Sequence, residues 1–162
     1  MPVTVSIEPA RQPDVELMLA GSEAYSHARY PVEACFLLDV ESLERPEVSL
    51  YVARGALLEP LGMLALVDNG DGTAELKRMF VHEDARGQGV GTQLIGRVEA
   101  DAVAAGVRRI VLETGPFHEA ALALYGRAGY ERIPLFGQYE GEKYSICMAK
   151  DLALDARSSA RV

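Results

Sequence analysis

Arg86-Gly87-Gln88-Gly89-Val90-Gly91-Thr92 lies between a strand-like run and a helix-like run, with glycine at every second position. Glycine leaves the backbone bare, so several neighbouring N–H groups can turn toward one anion. The helix that follows adds its own unpaired N–H groups and the positive end of its dipole at the same spot. The segment reads as a pyrophosphate cradle at a strand-to-helix junction. A nucleotide-hydrolase loop needs Gly-Lys-Ser/Thr at its end, and Gly91-Thr92 lacks that lysine. A dinucleotide fingerprint needs Gly-x-Gly-x-x-Gly opening a parallel βαβ unit. Here the third glycine comes one residue early, and the loop follows a hairpin strand. Taken alone, the glycines suit a plain strand-to-helix turn equally well.

Working outward, Asp68-Asn69-Gly70-Asp71-Gly72 is a hairpin signal, because Asn-Gly and Asp-Gly tolerate positive φ. It joins strands expected at Leu61–Val67 and Thr73–Val81, with another at Ser49–Ala53. Val3-Thr4-Val5-Ser6-Ile7 alternates as a half-buried first strand would. Pro13 suits the first turn of a helix whose broken apolar stripe reaches about Arg29 and ends before Pro31. Residues 31–46 read as a loop with a short helical piece at Leu38–Leu43. Beyond the glycines, Val90, Leu94, Val98 and Ala102 fall four apart on a helix stopped near Gly106. Arg109–Glu113 suits an interior strand and His118–Arg127 a helix with Gly129 past its end. Tyr130–Ile133 and Lys143–Ala149 are the closing strands, joined by a loop holding Gly137 and Gly141. The order β-α-α-β-β-β-α-β-α-β-β describes a mixed α/β (α+β) sheet in a single domain, residues 1–152. Residues 153–162 offer nothing to pack and read as a disordered tail.

Composition narrows the function. A chain of 162 residues, 49% hydrophobic and 25% charged, can bury a sizeable core without metal or disulfide staples. A net charge of -8 speaks against a general nucleic-acid surface, which needs a basic footprint. Cys35 and Cys147 have no paired spacing and read as free, buried thiols. His27 and His82 lack ligand spacing and read as structural, and no metal constellation is visible. No apolar run approaches a membrane span and no signal-peptide pattern opens the chain, so the expected location is cytoplasmic.

Two longer motifs specify the loop. Arg86-x-x-Gly89-x-Gly91, after the strand Glu75-Leu-Lys-Arg-Met-Phe-Val81, resembles the acetyl-CoA motif of the GNAT superfamily of N-acetyltransferases. About thirty residues on, His118-x-x-Ala121-Leu122-x-Leu124-Tyr125-x-x-x-Gly129-Tyr130 resembles that family's second motif, which usually starts with Asn. Tyr144 to Leu152 resembles its closing strand. The resemblance covers nearly the whole chain, most securely residues 74–150.

The resemblance implies an acyl-CoA N-acyltransferase fold: about seven strands, splayed between the fourth and fifth, with about four helices. It implies acetyl-CoA as cosubstrate, no metal, and transfer of acetyl to a primary amine by direct attack in a ternary complex. Met79, Phe80 and Val81 would pair with the pantetheine amides. The N–H groups of Arg86, Gly87, Gln88, Gly89, Val90, Gly91 and Thr92 would hold the pyrophosphate, with the Arg86 side chain adding a charge. His118 would contact the cofactor or orient water, making activity pH-sensitive if it protonates. An N–H near Val81 would stabilise the developing oxyanion, and Tyr125 would protonate the leaving thiolate. From spacing alone Tyr125 equally suits a core aromatic. Glu113 and Glu75 are the base candidates, with Glu33 and His118 behind them; an ordered-water relay is the alternative.

The acceptor pocket would form from Glu23 to Leu43 and Leu135 to Lys143. Tyr25, Tyr30, Phe36, Phe136 and Tyr139 would supply its aromatic walls, and Glu23, Glu33, Glu140 and Glu142 partners for an ammonium. Expected partners are a small-molecule or peptide amine and, at most, a second copy in a homodimer, with no nucleic acid and no membrane. The rival functions are a non-catalytic acyl-CoA sensor and an interaction domain with a degenerate site.

Overall fold

The computed structural model of the protein describes residues 2–152; the segment 153–162, read above as a tail, lies outside them. The elements are β1 (Thr4–Ile7), α1 (Pro13–His27), α2 (Val40–Leu43), β2 (Val48–Arg54), β3 (Pro60–Asp68), β4 (Thr73–Val81), α3 (Val90–Ala104), β5 (Arg109–Thr114), α4 (Glu119–Arg127), β6 (Glu131–Ile133) and β7 (Ile146–Asp151). Single 3-10 turns occupy Val32–Ala34, Glu83–Ala85 and Gly137–Tyr139. The seven strands form one sheet in the order β1-β2-β3-β4-β5-β7-β6, antiparallel except for the β4–β5 pair.

Alternation along the central strands sends side chains to two cores. Leu50, Val52, Met63 and Ala65 pack with Val15, Met18 and Leu19 of α1 on one face. Tyr51, Ala53, Leu64 and Leu66 pack with Leu94, Ile95 and Val98 of α3 on the other. With both faces covered, β3 reads as a nearly continuous apolar run rather than an alternating one. The β3–β4 hairpin closes as its sequence requires. Gly70 and Gly72 adopt φ of 78° and 90°, and the Asp68 carboxylate accepts the Gly70 N–H at 2.8 Å.

Three expectations need adjusting. The last strand starts at Ile146 rather than Lys143 and runs on to Asp151. Turn bonds from Glu142 N–H to the Tyr139 carbonyl and from Ser145 N–H to the Glu142 carbonyl hold the preceding residues out of the ladder. β1 is an edge strand: Val5 packs on the α3 face, but Ile7 is exposed. Both cysteines are free thiols, yet only Cys147 is buried, and Cys35 is half-buried. Among the described residues, no helix is long and apolar enough to cross a membrane, and no cluster of three or more His, Cys, Asp or Glu could hold a metal ion.

The feature that matters for function lies between β4 and β5. Their ladder runs only from Thr73↔Arg109 to Leu76↔Leu112, while β5 continues against β7 as far as Thr114↔Ile146. On its other edge β4 carries a bulge. Met63 faces Phe80 and Ala65 faces Lys77, so Arg78 and Met79 stand opposite Leu64 alone. Arg78 takes φ of 58°, a left-handed conformation uncommon outside glycine. The bulge bends β4 away from β5 and opens the sheet into a V.

Candidate active site

At the mouth of the V, Gly87 and Gly89 adopt φ of 78° and 80°. A Cβ at either would meet open space, so their role is conformational. Gly91 has a different one: a Cβ there would lie 2.6 Å from Leu124 Cδ2, so this glycine lets α3 pack closely on α4. The first backbone bond of α3 runs from the Gln93 N–H to the Gly89 carbonyl. The N–H groups of Val90, Gly91 and Thr92 therefore have no acceptor among the described residues, and they stand at the positive end of a 15-residue helix. This chemistry fits an anion such as a pyrophosphate.

The loop leads into the gap along β4. His82 N–H bonds back to Leu61 on β3, so by alternation the amide of Val81 faces the gap, as does that of Met79, while Phe80 turns toward β3. This free edge beyond Leu76 fits a chain carrying amides. The Arg86 side chain folds back onto the same edge: its Nε donates to the Val81 carbonyl at 3.2 Å, and its guanidinium lies 5.2 Å from the Tyr25 ring centroid.

The deep end of the V is a cleft lined by α1, β4, β5 and α4. Glu113 and Tyr125 both face it. Glu113 accepts a hydrogen bond from Ser145 Oγ at 2.7 Å. Burial pushes its carboxyl up to about 7, against the lowering effects of Ser145 and Lys77. Tyr125 is 4% exposed, and no hydrogen bond ties its hydroxyl to a described residue. Burial, and then the Glu113 charge, push its pKa up, which keeps it a proton carrier at neutral pH.

His118 occupies the N-cap position of α4 rather than its first turn, with its ring 5.4 Å from Tyr25 and 5.1 Å from Tyr30. Burial and the nearby Arg29 lower its pKa, so it stands as a neutral imidazole. Glu75 does not line the cleft: it accepts the Tyr139 hydroxyl proton at 2.6 Å. Glu33 and Glu140 are exposed and Glu142 is half-buried. Glu23 lies 3.8 Å from Arg78 Nη1. Tyr30, Phe36 and Tyr144 form aromatic walls, and the Tyr30 hydroxyl accepts the Phe117 N–H at 2.7 Å. Gly115 makes that contact possible, because a Cβ there would collide with the same hydroxyl.

Sequence reasoning missed two buried cations. Lys77 and Arg78 both line the cleft. Arg78 Nη2 donates to the Leu19 carbonyl at 3.0 Å, while its buried Nε and Nη1 make no hydrogen bond to a described residue. The signal was legible for Lys77: Glu75-x-Lys77 puts two opposite charges on one face of a central strand. Arg78 faces inward only because of the bulge, which no pattern announced.

A sequence profile described as the acetyltransferase (GNAT) family matches residues 14–130. An IAA acetyltransferase of Azospirillum brasilense is 35% identical over 151 residues, 93% of this chain and 98% of that protein. A structure from Klebsiella pneumoniae subsp. pneumoniae MGH 78578, described as a candidate acyl-CoA N-acyltransferase, superposes with a TM-score of 0.79 at 27% identity over 93% of this chain and 97% of its own. The PaiA N-acetyltransferase of Thermoplasma acidophilum, solved in complex with coenzyme A, shares the fold at 16% identity. Its TM-score is 0.69 over 93% of this chain and 99% of its own.

Proposed function

The chain belongs to the acetyltransferase (GNAT) family as an acyl-CoA-dependent N-acetyltransferase, and on that premise we propose how its residues divide the work. Residues 1–152 act as one catalytic unit that moves acetyl to a primary amine by direct attack in a ternary complex. Acetyl-CoA supplies the activated acetyl thioester. The observation that carries the reading is the meeting of Glu113 and Tyr125 in one cleft, at the deep end of the gap opened by the β4 bulge.

The N–H groups from Gly87 to Thr92 hold the pyrophosphate, while the Arg86 N–H is already given to the Glu83 carbonyl and Arg86 contributes its side chain; the gap-facing amides of Met79 and Val81 hold the amide-bearing arm. An N–H at this edge, near Val81, stabilises negative charge developing on the carbonyl oxygen. Glu113 takes the proton from the acceptor ammonium; a carboxyl at about 7 is matched to that task near neutral pH. Tyr125 gives its proton to the departing thiolate. Its hydroxyl bonds to no described residue, and its raised pKa keeps the proton in place until then. His118, neutral and stacked on Tyr25, shapes the wall between cofactor and acceptor. Glu75 supports the site from behind.

The acceptor is an amine that fits between Tyr30, Phe36 and Tyr144 and presents its ammonium to Glu113. A panel of amines, amino acids, aminoglycosides and N-terminal peptides, assayed by thiol release with acetyl-CoA, tests the reading. Turnover with at least one class is expected. Tight acetyl-CoA binding in calorimetry with no turnover on any amine would favour a non-catalytic sensor.

A further inference from the structure

Lys77 has no part in the mechanism above, yet it is an ammonium with a side chain only 8% exposed, on the wall of the reaction cleft. Its Nζ donates to the Tyr139 hydroxyl at 2.7 Å, and that hydroxyl donates to Glu75 Oε2 at 2.6 Å. The polarity of the chain is fixed. Tyr139 has one proton and gives it to the carboxylate, so its lone pair faces the ammonium. Because Tyr139 stands between them, Lys77 and Glu75 approach no closer than 3.8 Å. Burial lowers the pKa of Lys77; Glu75 and Glu113 work against that, Glu75 without claiming the ammonium in a tight pair, and the charge of Lys77 acts on Glu113.

We propose that Lys77, anchored by Tyr139 and Glu75, is a positioning residue that keeps the Glu113 carboxylate available as the proton acceptor. The proposal rests on the reading of Glu113 as the base. Two cations line the cleft with Glu113: Lys77, which lowers it, and Arg78, which donates to the Leu19 carbonyl and lies 3.8 Å from Glu23; the His118 imidazole lines it as well. Glu75 on β4 and Glu142 in the β6–β7 loop are like charges that favour its protonated form. Ser145 donates to it. Tyr30, Cys35, Tyr125, Tyr139 and Cys147 surround it as neutral groups. Burial and two carboxylates push the Glu113 proton on. Ser145 pulls it off with a hydrogen bond and Lys77 with a charge.

Two readouts on the full chain test this: the pH profile of kcat/KM with the fastest amine of the panel, and the Glu113 side-chain carbon titration by NMR in the presence of CoA. Wild type is expected to lose activity as pH falls through about 7. In Lys77→Met the Glu113 titration moves up by about one pH unit or more. On that limb kcat/KM at fixed pH drops about tenfold and recovers at higher pH. Tyr139→Phe, which releases the ammonium from its anchor, moves the titration the same way by less; it also serves should Lys77→Met fail to fold. An unmoved Glu113 titration in folded Lys77→Met overturns the proposal, as does an equal loss of activity at every pH. If Glu113→Gln keeps the acid limb, the base assignment falls instead, and the NMR titration still decides the role of Lys77.

Discussion

Glu113 is held in a place a carboxylate does not favour. Burial raises it from an ordinary 4.5 to about 7, so between those values the folded chain keeps a proton that the unfolded chain releases. Folding stability therefore falls as pH rises through that window, by about 3 kcal/mol once both states are ionised. Glu113→Gln removes the ionisation, and its melting temperature at pH 8 is expected to exceed wild type while turnover collapses; thermal melts at pH 5 and pH 8 read the difference directly. Tyr125 makes the opposite case. Its hydroxyl makes no hydrogen bond to a described residue, so Tyr125→Phe should leave stability within about 0.5 kcal/mol. The same change should lower kcat by about a hundredfold or more, with little effect on acetyl-CoA binding by calorimetry. Comparable losses in both would return Tyr125 to a packing role. Of these two residues, the motif announced Tyr125. The environment of Glu113 was invisible in sequence, because Ser145 and Lys77 reach it from other strands and loops.

Among the elements, the glycine loop and the β4 bulge divide the labour. At Gly89, φ of 80° with open space around the Cα means that Gly89→Ala meets no steric clash and only backbone strain, about 1–2 kcal/mol. The strain falls on the N–H groups expected to hold the pyrophosphate. The variant should therefore raise the KM for acetyl-CoA about tenfold or more with kcat little changed, as initial rates at saturating amine will show. A matching fall in kcat would point to damage beyond the loop. The boundaries of α3, β4 and the β3–β4 hairpin were legible to within a residue or so, because apolar periodicity and Asn-Gly or Asp-Gly turns are local signals. The start of β7 was not, since turn bonds around Glu142 and Ser145 override a strand-like composition. Nor was the bulge at Arg78, where a buried guanidinium with unpartnered N–H groups is tolerated only because the packing around it is fixed by the rest of the sheet.

In the molecule as a whole, the proposed cosubstrate site is a seam. The sheet opens between β4 and β5, and the wall of the gap is assembled from α1, β4, β5 and α4. A ligand that fills such a gap stabilises the fold by mass action. Acetyl-CoA at about a hundredfold excess over its Kd should contribute about 2.7 kcal/mol and raise the melting temperature by about 5–10 °C. Unchanged melting in differential scanning fluorimetry would refute binding in the seam. Periodicity, turn residues and two spaced motifs were enough for the sequence by itself to determine the order of elements, the glycine turn that opens α3 and the family. Those are properties of contiguous stretches, written by local sterics and by which side chains can face a core. Only the tertiary structure decided that Gly91 serves helix packing, that Glu75 stands behind the cleft, and that Lys77 faces Glu113 across it. Each of these depends on strands distant in the chain meeting at one bulge, and through-space charge and close approach leave no periodic trace in a sequence.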